Sequence, residues 1–161
     1  MPPGQPTPPE RARRLIDASI NMTVATVDAA GVPWVSPVFY VPDDAYDLYW
    51  TSEPSARHSE NIRCTGAAAI VIVEADPEAR VDAVYMSAEA TELTGPEEVE
   101  RGIEVMLAKP QPERWKITSA DDVSGDGPWR IYRAHPTAID VRSSDSNRGR
   151  AVARRTPAEF R

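Results

Sequence analysis

The residues Trp50-Thr51-Ser52-Glu53-Pro54-Ser55-Ala56-Arg57-His58 form the segment whose types and spacing could do chemistry. It reads as a strand that ends in hydroxyls and passes into a helix start. Hydroxyls, the free backbone N–H groups of a helix N-terminus and a guanidinium are the donors a phosphate monoester requires. Thr51, Ser52 and Ser55 supply the hydroxyls, and Arg57 supplies a planar cation that can hold two phosphate oxygens at once. His58 adds a further donor. A plain capped helix with a surface arginine has the same local composition, so the segment alone leaves both readings open.

Other chemistries lack their residues. The chain has two histidines, His58 and His135, and one cysteine, so a tetrahedral zinc site would need two or more carboxylates. No HExxH, CxxC, GxSxG, Walker A or GxGxxG pattern occurs. Asp122, Ser124 and Asp126, followed by Gly127, imitate the start of a calcium loop. The twelfth position, which should be a bidentate Glu, is Arg133, a cation set against the ion. Cys64 can form no internal disulfide, and it reads as a small packed hydrophobe rather than a nucleophile.

The elements that must position the segment fit into one domain: the chain has 161 residues, 41% of them apolar. No apolar run approaches the roughly 18 residues that span a bilayer. MPPGQPTPPE lacks the apolar region of a signal peptide, so the expected location is the cytoplasm, with no membrane partner. The net charge of −7 is uneven, with +2 in residues 1–14, +4 in residues 142–161 and −13 in the body between. Such a body repels nucleic-acid phosphates, and no nucleic-acid partner is expected. Residues 1–9, with five prolines, read as a disordered leader, and residues 143–161 as a basic, flexible tail. The domain proper is expected over 10–142.

Within it a short helix runs from about Glu10 to Ser19, with Ala12, Leu15, Ile16 and Ser19 on one face. NMTVATVD, PWVSPVFYV and AYDLYWTS read as three strands of an antiparallel meander, the first turn holding Gly31 where a positive φ is easiest. EPSARHSENIR reads as a helix with Pro54 in its first turn. GAAAIVIVE, a continuous apolar run, reads as a strand buried on both faces, and AVYMSAEATEL as an alternating strand. A helix opens at Gly95-Pro96, with Val99, Ile103, Met106 and Leu107 as its buried stripe. A helical or irregular stretch covers about 112–128, and PWRIYRAHPTAIDV closes the sheet, with a bulge or bend at Pro136. The fold class is mainly β, an antiparallel barrel of six or seven strands with flanking helices.

This order of elements resembles the pyridoxamine 5′-phosphate oxidase-like split barrel over residues 10–142. The likeness is strongest in VDAAGVPWVSPVFYV, LYWTSEPSARHSENI and WRIYRAHPTAIDV. It implies FMN as cofactor at a homodimer interface. Anchored on Ile62, Arg57 falls on the family's phosphate-binding Arg, His58 replaces its Lys, and Ala56 replaces its Ser, with Ser55 adjacent. Trp50 and Thr51 match the aromatic-Thr pair beside the cofactor, and Ser52 follows them. The strand along the flavin ring corresponds to Ser36, Pro37, Val38 and Phe39. The family's oxidases carry Arg-Gln-Val where this chain has Asp82-Ala83-Val84, and their late Trp-Gln and Arg-x-His elements are not visible. The implied function is an FMN-dependent oxidoreductase acting on a small molecule other than pyridoxamine phosphate, with no catalytic side chain required. Two alternatives stand beside it. One is the deazaflavin F420 on the same fold, for which 16 arginines against Lys109 and Lys116 are a compositional hint. The other is a non-enzymatic flavin or haem binder, for which His58 and His135 are the available haem ligands.

Overall fold

The computed structural model describes residues 6–75, 81–113, 116–145 and 152–160. Period-two alternation forms β1 (Asn21–Val27) and turns Met22, Val24 and Thr26 inward. The chain returns as β2 (Pro33–Phe39), with Asn21 opposite Phe39 and Val27 opposite Pro33. Asp28 builds the turn between them: its Oδ1 accepts from the N–H groups of Ala30 and Val32, both at 2.9 Å. Gly31 sits at φ +80°, where a side chain would be strained. A second, shorter hairpin joins β3 (Val41–Pro42) to β4 (Leu48–Ser52). The helix α2 (Arg57–Thr65) then crosses to β5 (Ala67–Ala75), closing at Gly66 in the left-handed region. It starts later than the sequence suggests, because residues 53–56 form a turn that leaves Pro54 outside the helix.

Next come β6 (Val81–Glu92), a helix from Pro96 to Leu107, a 3₁₀-helix (Ala120–Val123), β7 (Arg130–Asp145) and β8 (Val152–Pro157). Every pairing is antiparallel, in the order β2-β1-β5-β6-β7-β4-β3, with β8 on β7. The result is a mainly β, curled sheet with flanking helices, the split-barrel architecture, with β3 and β8 bringing the strands to eight. The expected irregularity at Pro136 is present: the β6–β7 register shifts between Ser87 and Ala88, leaving Thr137 without a Cα partner.

Two apolar clusters fill the fold, and β4 separates them. Leu48 and Trp50 point into a large core with Leu15, Ile16, Met22 and Ile72, whereas Tyr49 points into a smaller one with Leu93, Met106 and Ile131. The strand buried on both faces is therefore β4, not β5. In β5, Ile70 and Ile72 are buried, but Val73 is 49% exposed, because no helix among the described residues covers the outer side of the sheet there. The helix Pro96–Leu107, hereafter α3, packs Val99, Ile103 and Met106 of the expected stripe on the smaller cluster; Gly102 and Val105 are buried with them, and Leu107 is exposed. Gly102 permits that approach, since a Cβ there would lie 2.9 Å from Leu93 Cδ1.

Both chain ends differ from expectation. Residues 1–5 of the leader lie outside the described residues. Thr7, however, caps a helix, α1 (Pro8–Ala18), in a reciprocal capping box with Glu10, and Pro8 occupies its first turn, where the missing N–H costs nothing. Of the tail, 146–151 lies outside the described residues, but β8 pairs with β7 from Asp145↔Val152 to Asp140↔Pro157. Ala158 then donates to Ile139 O at 2.8 Å and is buried. Phe160 packs on Tyr46, with ring centroids 4.7 Å apart, beneath the Arg13 guanidinium at 4.9 Å. Arg155 spreads over the Tyr85 ring at 4.3 Å. Aromatic partners and a free strand edge hold a segment whose basic composition suggested solvation.

A variant ending at residue 151 should accordingly lose about 2–4 kcal/mol of stability, or roughly 2–4 °C of melting temperature per kcal/mol. Thermal unfolding of the truncated chain at the full-length melting temperature would contradict the docked C-terminal segment.

Candidate cofactor site

The turn from β4 into α2 and the facing part of β2 enclose a cleft of about 390 Å³. Pro37, Val38 and Phe39 form one wall. Thr51, Ser52 and Glu53 come from the end of β4 and the turn after it, Ala56 and His58 from the start of α2. Ligand clefts fall in this size range and pair an apolar wall with a few placed polar groups. The α2 N-cap is Ala56, which gives no side-chain cap, so the first N–H groups of the helix are left for another acceptor.

Six of the ten expected residues thus meet in one place: Pro37, Val38, Phe39, Thr51, Ser52 and His58. The other four lie elsewhere. Trp50 is wholly buried against Tyr132, with ring centroids 5.6 Å apart, because the strand alternation that turns Thr51 outward turns Trp50 into the core. Ser36 accepts a hydrogen bond from Trp34 Nε1 at 3.1 Å. Ser55 is exposed in the turn. Arg57 is the first residue of α2, but its guanidinium lies 4.8 Å from the Trp34 ring centroid, and its Nη2 is 3.7 Å from Asp28 Oδ2. Asn21 and Pro112 also line the cleft. Asn21 could have been found from the hairpin register, which sets it opposite Phe39. Pro112 follows α3 in an irregular segment and carries no sequence signal for this position.

His58 is buried, and its Nε2 is hydrogen bonded to Ser52 Oγ at 2.7 Å. Burial pushes its pKa below the ordinary imidazole value. The ring therefore brings a hydrogen bond and no charge near neutral pH. A gain of cationic character just below pH 6.5, as an exposed histidine would show, is not expected here. His135 is exposed, and its Nδ1 lies 2.7 Å from Asp47 Oδ1.

Two residues singled out in the sequence take other roles. Cys64 is exposed on α2 rather than packed, since the helix turns Ile62 inward and Cys64 away. In the calcium-like loop, Asp122 Oδ2 accepts from Thr118 N, Thr118 Oγ1 and Ser119 N, which lowers its pKa as a structural cap. The carbonyls of Gly125, Gly127 and Trp129 accept from Arg130, so an internal guanidinium stands among the loop oxygens. Among the described residues no group of three or more His, Cys, Asp or Glu could hold a metal ion. Among them, too, no helix is long and apolar enough to cross a membrane.

Topology and cleft together define an antiparallel split barrel with a pocket at an uncapped helix N-terminus. The sequence pattern of the pyridoxamine 5′-phosphate oxidase family matches residues 8–161, and the chain belongs to that family. Solved structures share the fold. A haem-binding protein from Mycobacterium smegmatis is similar with a TM-score of 0.65 at 19% identity, over 94% of this chain and 59% of that one. This chain thus spans less than two thirds of that protein. HutZ, the haem storage protein of Vibrio cholerae, gives 0.63 at 22% identity over 80% of this chain and 89% of its own. An FAD-binding protein from Mesorhizobium loti gives 0.62 at 18% identity over 79% and 88%. No curated protein sequence matches the chain.

The lowered His58 pKa has a signed consequence. Below about pH 6.5 the unfolded chain takes up a proton that the buried imidazole resists, so this group's contribution to stability is present above that pH. It is lost as pH falls through the depressed folded value. Between pH 7 and pH 5 the wild type should lose more stability than His58→Gln, measured by urea unfolding at each pH. Parallel losses in the two proteins would show that His58 is not held neutral.

Proposed function

We propose that the cleft binds FMN and that the protein is a homodimeric, FMN-dependent oxidoreductase acting on a small molecule other than pyridoxamine phosphate. One juxtaposition carries the reading: an apolar wall from β2 faces two hydroxyls and an uncapped helix N-terminus whose first residue is an arginine. A flavin has the matching halves, a flat apolar ring and a phosphate. Family membership supports the same assignment.

The residues fit the group. Pro37, Val38 and Phe39 offer a ring wall; Thr51, Ser52 and the first N–H groups of α2 offer donors to a phosphate. Glu53 is the acidic residue of the lining and disfavours a second anion. FMN, when bound, supplies hydride or electron transfer. The side chains around it hold and orient, and the buried, neutral His58 keeps Ser52 in place. Asp82, which replaces the family's Arg, is committed to packing α1 on the sheet: Arg11 Nη2 donates to its Oδ1 at 2.6 Å. The chain thus has an acid, already paired, where the family's oxidases carry a cation.

The homodimer is supported by the outer face of β1, β2, β5 and β6. A groove of about 400 Å³ there is lined by Ala25, Val35, Ala69, Val71 and Tyr85, and Val35 is 58% exposed. An apolar sheet face of this kind calls for a cover. Light scattering should return a dimer, and Val35→Glu, which sets a charge into the groove, should return a monomer.

Haem binding has its own observation. The carboxylate of Asp47 holds Nδ1 of the exposed His135, an arrangement that orients Nε2 toward a metal. The absorption spectrum of the purified protein separates the readings: flavin bands support the first, a Soret band lost in His135→Ala supports the second, and a deazaflavin spectrum supports neither.

For FMN, Arg57→Ala should weaken binding by about 1.5–3 kcal/mol, or roughly 10- to 150-fold in Kd. Riboflavin, which has no phosphate, should be nearly indifferent to the substitution. Fluorescence quenching titrations give both values, and equal FMN affinities for wild type and variant would sink the phosphate assignment.

A further inference from the structure

Arg57 is adjacent in sequence to Ala56 and His58, which line the cleft, yet its guanidinium is held on the β1–β2 hairpin by two groups. Asp28 uses Oδ1 for the turn, accepting from Ala30 N and Val32 N, and turns Oδ2 toward Arg57 Nη2 at 3.7 Å. The Trp34 ring lies under the guanidinium, 4.8 Å from its centroid. The indole is itself fixed, since Nε1 donates to Ser36 Oγ at 3.1 Å. A guanidinium set over an indole and near a turn-held carboxylate is favourably placed, although the site is half exposed, with 44% of the arginine side chain accessible.

From this we infer that Asp28 and Trp34 form a latch for Arg57, and that a phosphate-bearing ligand must displace Asp28 to recruit the guanidinium. Asp28 is thus a specificity-determining, positioning residue. It sets the threshold that a ligand's anionic group must exceed, favouring a dianionic phosphate monoester over a weaker monoanion. The inference rests on the phosphate reading of the cleft. An exposed ion pair is weak enough to be exchanged and strong enough to matter, so the latch is reversible at ordinary salt.

Asp28→Asn keeps an oxygen for the turn and removes the charge. FMN titrated into this variant should bind about 2- to 5-fold more tightly than to the wild type, the scale of one exposed ion pair. The melting temperature should be unchanged, and riboflavin affinity should not move. Asp28 could also act by repelling the phosphate through space, and the double variant decides between the two. In an Arg57→Ala background the gain from Asp28→Asn disappears if Asp28 competes for Arg57, and persists if it merely repels the ligand. Persistence of the gain, or no gain in the single variant, overturns the latch. If Arg57→Ala still weakens FMN in that case, the phosphate reading stands without it. If Arg57→Ala leaves FMN affinity unchanged, both fall.

Discussion

Leu48, Tyr49 and Trp50 lie on one strand with apolar packing on both of its sides. A strand so placed can neither slip by one residue nor rotate, because a slip would exchange the contents of two cores. Its partner β7 is bound by the same requirement, with Ile131 facing one cluster and Tyr132 the other. The Trp50–Tyr132 stack continues into polar contacts. Tyr132 donates to Glu92 at 2.8 Å, and burial together with the adjacent carboxylate pushes its pKa up to about 12. Glu92 in turn receives Arg63 at 2.8 Å, and Arg63 reaches Pro54 O at 2.6 Å. The turn that opens α2 is therefore tied to the barrel through α2's own last turn. The cleft inherits its shape from that chain of contacts.

Electrostatics is arranged around the same frame. The acidic body does not remain unpaired: Arg11 and Arg14 of α1 meet Asp82 and Glu74 on the sheet. Arg11 also donates to Arg142 O at 2.7 Å. The Arg14–Glu74 pair is exposed and contributes little. The effect of these pairs is directional, orienting a helix whose apolar face, Ala12, Leu15 and Ile16, does most of the stabilising.

Much of this was legible in the residues. Alternation in NMTVATV, the Gly31 turn and the Pro136 bulge are local signals, and local physics produced them. The hydroxyl-rich passage from β4 to α2 was legible for the same reason. Arg57 was readable as a cation beside the site, but its attachment to Asp28 and Trp34 depends on a hairpin more than 20 residues earlier in the chain. No local pattern carries that. The double-sided burial of β4 was hidden by composition, since Leu-Tyr-Trp looks less like an interior strand than Ala-Ala-Ala-Ile-Val-Ile-Val. Burial follows from which elements fold over a strand, and α3 covers one and not the other. The basic C-terminal segment misled for a related reason: arginines read as solvated until an aromatic ring or a strand edge is there to receive them.

The contact of Arg13 with Phe160 brings α1 and the last described residues together. The strands that α1 rests on, β5, β6 and β7, lie between Ala67 and Asp145, far along the chain from it. Its apolar stripe gains its full set of partners only when contacts of that separation have closed. Contacts of such large sequence separation slow folding and prolong the exposure of apolar surface. The clasp that steadies the finished barrel thereby lengthens the time for which an apolar helix face lies open during folding.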